Sequence, residues 1–204
     1  MTITASDIVD RARDILIDTD AVRWSDAEML RWVTDAERSI VSIIPNASQT
    51  NVTLALVAGI RQTIPAGGVT LLRAYRNLTA GGVSGSIVHS VEWELLNRQY
   101  PTYSNDAEVT DVIVYAFDPD DPTGFYVYPP NDGTGSLEIN YCTYPPDVTA
   151  LVDTLVVRDI FETALLDYVL FRAHAKDNDY SGGDRVATIY LDNFKAFLEA
   201  QAGG

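Results

Sequence analysis

RDIFETALLDYVLFRAHAKD (158–177) and DRVATIYLDNFKAFLEA (184–200) decide how the rest of this chain must be read. Ile160, Phe161, Ala164, Leu165, Tyr168 and Val169 recur at helical spacing in the first, and Val186, Ile189, Tyr190, Phe194 and Phe197 do so in the second. Each stretch therefore predicts an amphipathic helix. Gly182 and Gly183 mark a break over 178–183, and Asp184 is placed to cap the last helix. Two amphipathic helices need a helical partner, and the only comparable region lies at the opposite terminus.

There, residues 7–17 put Ile8, Ala12, Ile15 and Leu16 on one face, with Ser6 as the expected N-cap. A second start is more sharply marked. Ser25 and Glu28 have the spacing of a capping box, Trp24 and Met29 that of a hydrophobic staple, and Pro45 stands just past the end. Met29, Val33, Ala36, Ile40 and Ile43 then form a narrow stripe suited to packing against another helix.

Between 49 and 147 the period changes to two. Val52, Leu54 and Leu56 alternate, Gly59 marks a turn, and Ile60, Gln62 and Ile64 continue on the return strand of an expected hairpin. Strands follow over 69–78 and 86–89, separated by a turn at Gly81, Gly82 and Gly85. A short helix over 91–98 is stopped by Pro101, which pushes Tyr100 toward extended backbone. Runs over 109–117, 125–128 and 137–144, joined by Pro- and Gly-rich turns, predict a three-stranded antiparallel meander. The expected fold is α+β: a helical bundle from 1–48 and 150–204, carrying a β-rich insertion, meander or sandwich-like, over 49–149 with one short helix near 91–100.

The 204 residues carry 29 acidic and 14 basic side chains, a formal net charge of −15, which repels phosphate backbones and anionic lipid at long range. Tight nucleic-acid binding is disfavoured, although a local basic patch is compatible with the composition. Cys142, the single cysteine, has no intrachain partner, which fits a reducing compartment. Neither a secretory leader nor an apolar run of roughly 18 residues is present, so export and membrane insertion are not expected.

Residues that bear chemistry are sparse. His89 and His174 have neither a second metal ligand nor a base partner at a mechanistic spacing. DPDDPTG (118–124) has the carboxylates and glycine of a calcium loop, but Pro122 occupies a ligand position and no glutamate closes the site, so a hairpin turn is expected. The glycine pairs 67–68, 81–82 and 182–183 lack the order of phosphate-binding loops and are expected to be turns. Tyr115, Tyr126, Tyr128, Tyr141 and Tyr144 raise the alternative of a stacking platform for carbohydrate or nucleic acid against ordinary packing of aromatics on strands. Arg73, Arg76 and Arg98 are candidates for a small basic patch or for pairing with local carboxylates. No catalytic residue, cofactor-binding residue, metal ligand or cofactor is expected.

Residues 23–40, RWSDAEMLRWVTDAERSI, resemble the capped helix of head-to-tail adaptor (connector) proteins of tailed, particularly short-tailed, bacteriophages. Leu165, Tyr168, Ala173 and Asp177 within 164–177, and YLDNF (190–194), resemble that family's C-terminal helices, and the similarity covers most of the chain in order. The resemblance implies a structural virion protein with no catalytic residues. It implies a ring, commonly a dodecamer, that sits beneath the portal protein, contacts tail tube or nozzle proteins and extends the DNA channel without specific DNA binding. The expected location is the neck of the virion, with assembly in the host cytoplasm. Other readings are another neck, tail-completion or baseplate subunit, a carbohydrate or host-recognition module, and last a hydrolase built on His89 or His174.

Overall fold

A computed structural model describes residues 3–79, 81–177 and 183–203 of the chain. Its contacts divide the chain into two units, Met1–Ser48 with Pro145–Gly204, and Gln49–Tyr144. The described residues form five α-helices and two four-stranded sheets, with helices at both ends, so the fold is α+β as expected.

In the helical unit α1 spans Ala5–Leu16. Its N-cap is Thr4, where Ser6 was expected, because Asp7 stands three residues after Thr4 and accepts from its N–H and hydroxyl at 2.8 and 2.7 Å. Ala5, Ile8, Val9 and Ala12 form the buried face, whereas Ile15 is half exposed. The turn after α1 is built on a buried ion pair. Arg13 donates to the Asp18 carbonyl (3.0 Å) and carboxylate (3.3 Å), the Trp24 carbonyl (3.1 Å) and Asp26 (2.6 Å). Asp18 in turn accepts from the N–H groups of Val22, Arg23 and Trp24 at 3.0 to 3.1 Å.

Helix α2 spans Asp26–Ile43. Ser25 is its N-cap, but the expected capping box is not made: the Ser25 side chain makes no cap bond, and Glu28 reaches instead to Lys176, 148 residues further along the chain. Trp24 and Met29, the expected staple pair, are both buried. Met29, Val33, Ala36 and Ile40 are fully buried, but Ile43 is exposed, and Leu30, Trp32 and Val41 are buried as well. The apolar surface is therefore wider than a stripe, because α2 is packed by α1 and by both C-terminal helices.

The chain re-enters this unit as an irregular segment held by side chains of α2. Thr34 Oγ1 accepts from the Val148 N–H (3.0 Å), and buried Glu37 accepts from the N–H groups of Val156 (2.7 Å) and Val157 (3.2 Å). A single 3-10 turn, Asp159–Phe161, leads into α4, Glu162–Lys176, and α5 follows as Gly183–Ala202. Phe161, Ala164, Leu165, Leu166, Val169, Leu170 and Ala173 are buried, with Tyr168 half-buried, whereas Ile160 is exposed. Helix α5 buries Ala187, Phe194 and Leu198 and half-buries Tyr190 and Phe197. Val186 and Ile189, expected on its packed face, point outward, since α5 is covered chiefly by α4 along one side. Asp184 lies within the first turn of α5, so it is not the N-cap. Of the break expected over 178–183, residues 178–182 lie outside the described residues, and Gly183 is already the first residue of α5.

The second unit is a β-sandwich. Its strands are β1 (Gln49–Ala55), β2 (Gly59–Thr63), β3 (Gly68–Thr79), β4 (Val83–Ile87), β5 (His89–Ser90), β6 (Val114–Phe117), β7 (Gly124–Asn131) and β8 (Ser136–Thr143). They form one sheet of order β1-β8-β3-β4 and another of order β2-β7-β6-β5, antiparallel except for the short β5–β6 pairing. The remaining helix, α3 (Trp93–Gln99), lies between β5 and β6 in sequence. Leu71, Ala74, Leu137, Ile139 and Tyr141 of the first sheet share one core with Ile64, Phe125, Val127 and Tyr115 of the second side.

Two expected pairings are not made. Strands β1 and β2 are not a hairpin: β1 pairs with β8 and β2 with β7, so the chain changes sheet at 56–58. Buried Gln62 holds that crossing, its Oε1 accepting from the Val57 N–H and its Nε2 donating to the Val57 carbonyl, both at 2.8 Å. The meander is likewise reduced to the β6–β7 hairpin, because after β7 the chain crosses to the first sheet and β8 lies between β1 and β3. Buried Asn131 organises this second crossing, donating to the carbonyls of Val109 (3.1 Å) and Thr110 (2.8 Å) and accepting from the N–H groups of Gly133 (2.9 Å) and Gly135 (3.3 Å). Gly135 has no room for a side chain, since a Cβ there would lie 2.3 Å from the Thr110 carbonyl oxygen.

Candidate functional site

His89 lies exposed in β5, on the β unit, and His174 lies in α4, on the helical unit. His174 stacks on Tyr190 with ring centroids 5.6 Å apart, and burial holds its pKa below the ordinary value against the opposing charge of Asp177. This is a packed aromatic ring joining α4 to α5. Among the described residues no cluster of three or more His, Cys, Asp or Glu side chains is placed to hold a metal ion.

Residues 118–124 form the expected turn between β6 and β7. Asp121 accepts from the Thr123 hydroxyl (2.6 Å) and N–H (2.9 Å), and Asp118 accepts from the Asp120 N–H (3.0 Å). Arg61 of β2 stands 3.0 Å from Asp121 and 3.7 Å from Asp118. The carboxylates are thus used by the turn and one arginine, which is Asx-turn chemistry.

Four of the five tyrosines are absorbed by packing. Tyr115 and Tyr141 belong to the sandwich core. Tyr126 lies 4.1 Å, centroid to centroid, from Trp93 of α3, and Tyr128 the same distance from Tyr100 just beyond it, so α3 roofs this face of β6 and β7, its own Leu96 buried in one cluster with Tyr103 and Ala116. Burial raises the pKa of both phenols, with Asp118 adding to the effect at Tyr126 and Asp106 at Tyr128. Tyr144 alone of the five is exposed.

The three arginines separate. Arg98 is exposed at the end of α3, while Arg73 and Arg76 of β3 line one cavity of about 380 Å³ with His89. Sequence reasoning missed the buried polar groups: Arg13, Asp18, Glu37, Gln62, Asn77 and Asn131. Their spacing carries no signal, because each bonds to backbone brought near by the fold.

Surface apolar groups are the other feature available for work. In the helical unit Ile17, Val22 and Val152 are 91, 85 and 82% exposed, joined by Ile43, Ile160 and Ile189 at about half. Ile17 adopts a left-handed backbone, φ 54°, which β-branched residues seldom do. Such side chains are what association can bury, and single exposed ones are ordinary. No helix of the described residues is long and apolar enough to cross a membrane.

The model of the SU10 adaptor protein family matches residues 3–204. No curated protein matches the chain. With essentially its whole length covered, the chain belongs to the SU10 adaptor family, the phage head-to-tail adaptors that its capped helix and C-terminal helices resemble.

Proposed function

We propose that this member of the SU10 adaptor family forms the head-to-tail connector ring of its virion, joining the portal protein to the tail tube or nozzle and extending the DNA channel. The family match over residues 3–204 carries the reading. A phage structural adaptor works by binding other head and tail components, and the uncovered Ile17, Val22 and Val152 supply apolar area for such contacts. A ring requires two different faces on each subunit, one for each neighbour, and the copy number proposed, twelve, is the one that the resemblance to phage connectors implies. The location follows as the virion neck.

The net charge of −15 supports a conduit role. DNA that must pass through a channel is held back by a basic lining, through counterion release, whereas carboxylates repel it and let it slide. On this reading the protein has no catalytic step, and DNA passes without specific binding. A reconstruction of the intact virion tests it. The chain should trace as a closed ring between portal and tail; density for it elsewhere, in a baseplate or on a host-contacting fibre, overturns the assignment.

A further inference from the structure

We propose that the cleft on the β unit lined by Arg73, Arg76 and His89 is a docking site for a carboxylate-bearing protein segment. The proposal concerns this unit alone and stands whether or not the chain closes into a ring.

The cleft originates in an irregular strand. Strand β3 runs three residues for every two of β8: Leu71 pairs with Tyr141, Arg73 with Asn140, Ala74 with Ile139, Arg76 with Glu138 and Asn77 with Leu137, with register shifts between. Repeated bulging of this kind re-aims side chains that a regular strand would alternate. Leu71, Ala74 and Asn77 stay buried, and Arg73 and Arg76 both reach one cavity on either side of the extra residue, Tyr75. The Arg73 guanidinium lies over the Tyr75 ring, 5.5 Å from its centroid. His89, Ser90 and Ile87 complete the cleft, and no carboxylate lines it.

The charges there are incompletely satisfied. Among the described residues no carboxylate pairs with Arg73. Arg76 is ion-paired with Glu138, Nε to Oε2 at 3.4 Å, but that Nε is shielded from solvent and makes no hydrogen bond, so the pair leaves the rest of the guanidinium fork available to the cleft. Two guanidinium forks and an imidazole thus offer donors to a planar oxyanion, which is the recognition chemistry of carboxylate and of phosphate. In a chain with 29 acidic and 14 basic residues, the long-range field opposes a polyphosphate strand. A protein carboxylate delivered by a neutral or mixed surface meets no such barrier. Ile87, 62% exposed at the rim, adds an apolar contact for a neighbouring side chain.

The test is fluorescence anisotropy on the full chain at low salt. The probe is a labelled 12-residue peptide carrying a single Glu and a single Asp beside Phe among neutral residues, compared with its Gln and Asn counterpart and with a single-stranded DNA 12-mer. The acidic peptide should bind at least ten-fold more tightly than the amide peptide and than the DNA. The double variant Arg73→Gln/Arg76→Gln should lose at least ten-fold, and Arg98→Gln, outside the cleft, should lose nothing. Should the double variant fold poorly, Arg73→Gln alone, on an exposed side chain, must still weaken the peptide several-fold. Equal binding by variant and parent, equal binding of the amide peptide, no binding at millimolar concentration, or tighter binding of the DNA would each overturn the proposal.

Discussion

Asn131 shows how much of this fold hangs on single side chains. Its amide makes four bonds to backbone, to Val109, Thr110, Gly133 and Gly135, where the chain passes from one sheet to the other. Replacing it by Ala leaves buried backbone groups without partners, at about 3 kcal/mol. We expect Asn131→Ala to lower the urea midpoint with little change in m; an unchanged midpoint would show that water takes over the bonds. Glu37 makes a different prediction. Burial raises its pKa above the ordinary value, against the N–H groups of Val157 and Val156. The folded state therefore holds this proton more tightly than the unfolded chain. The resulting stability is full below the unfolded pKa and is lost as pH rises through the higher folded value. Relative to Glu37→Gln, which lacks the titration, the parent should be favoured in acid and lose that margin toward neutrality, as read by thermal melts across pH. A margin independent of pH would contradict the burial of an ionisable group there. Asp18 has the opposite sign: burial opposes its ionisation, but N–H groups of Arg23, Trp24 and Val22 and the charge of Arg13 outweigh it. That contribution is present above the unfolded pKa and fades as pH falls through the lowered one, equally in both proteins.

At the scale of elements, local patterns and long-range partners divide what the sequence reveals. All five helices were legible, because helical periodicity, Pro101 and Ser25 act within a few residues of where they stand. What failed were choices among partners. Glu28 had the spacing to complete the cap on α2, yet Lys176, 148 residues away, takes its carboxylate. Gly59 followed by alternating Ile60, Gln62 and Ile64 reads as a hairpin, and only the buried amide of Gln62 shows that the chain is changing sheets. The 118–124 turn was legible from the order of its Asp, Pro and Gly residues, whereas the sequence left the tyrosines open between a stacking platform and packing, and the fold decides for packing at four of the five. The Arg73–Arg76 cleft was hidden because bulges in β3 break the two-residue period on which any face assignment depends. The end of α1 carries its own prediction. Ile17 stands at the C-cap with φ 54°, where Gly is favoured, and its side chain is 91% exposed. Ile17→Gly should stabilise the isolated chain by ~1 kcal/mol, a rise of about 2 to 4 °C in melting temperature. If Ile17 is kept for a partner, the same change should weaken assembly; a variant that gains stability and assembles fully would remove this residue from the contact surface.

At the scale of the whole molecule the chain is a scaffold with more contact material than one subunit absorbs. Its helical unit closes a core yet leaves Ile17, Val22 and Val152 in water, and its β unit covers most of its tyrosines while leaving an arginine-lined cleft open. The acidic balance favours protein partners with complementary patches and opposes DNA at long range. The claim that joins these features is assembly on the portal. Native mass spectrometry of the purified chain, alone and mixed with its portal protein, tests that claim most directly. The account predicts a portal complex carrying a full ring of this chain, twelve copies. A chain that stays at the mass of one subunit with portal present contradicts it.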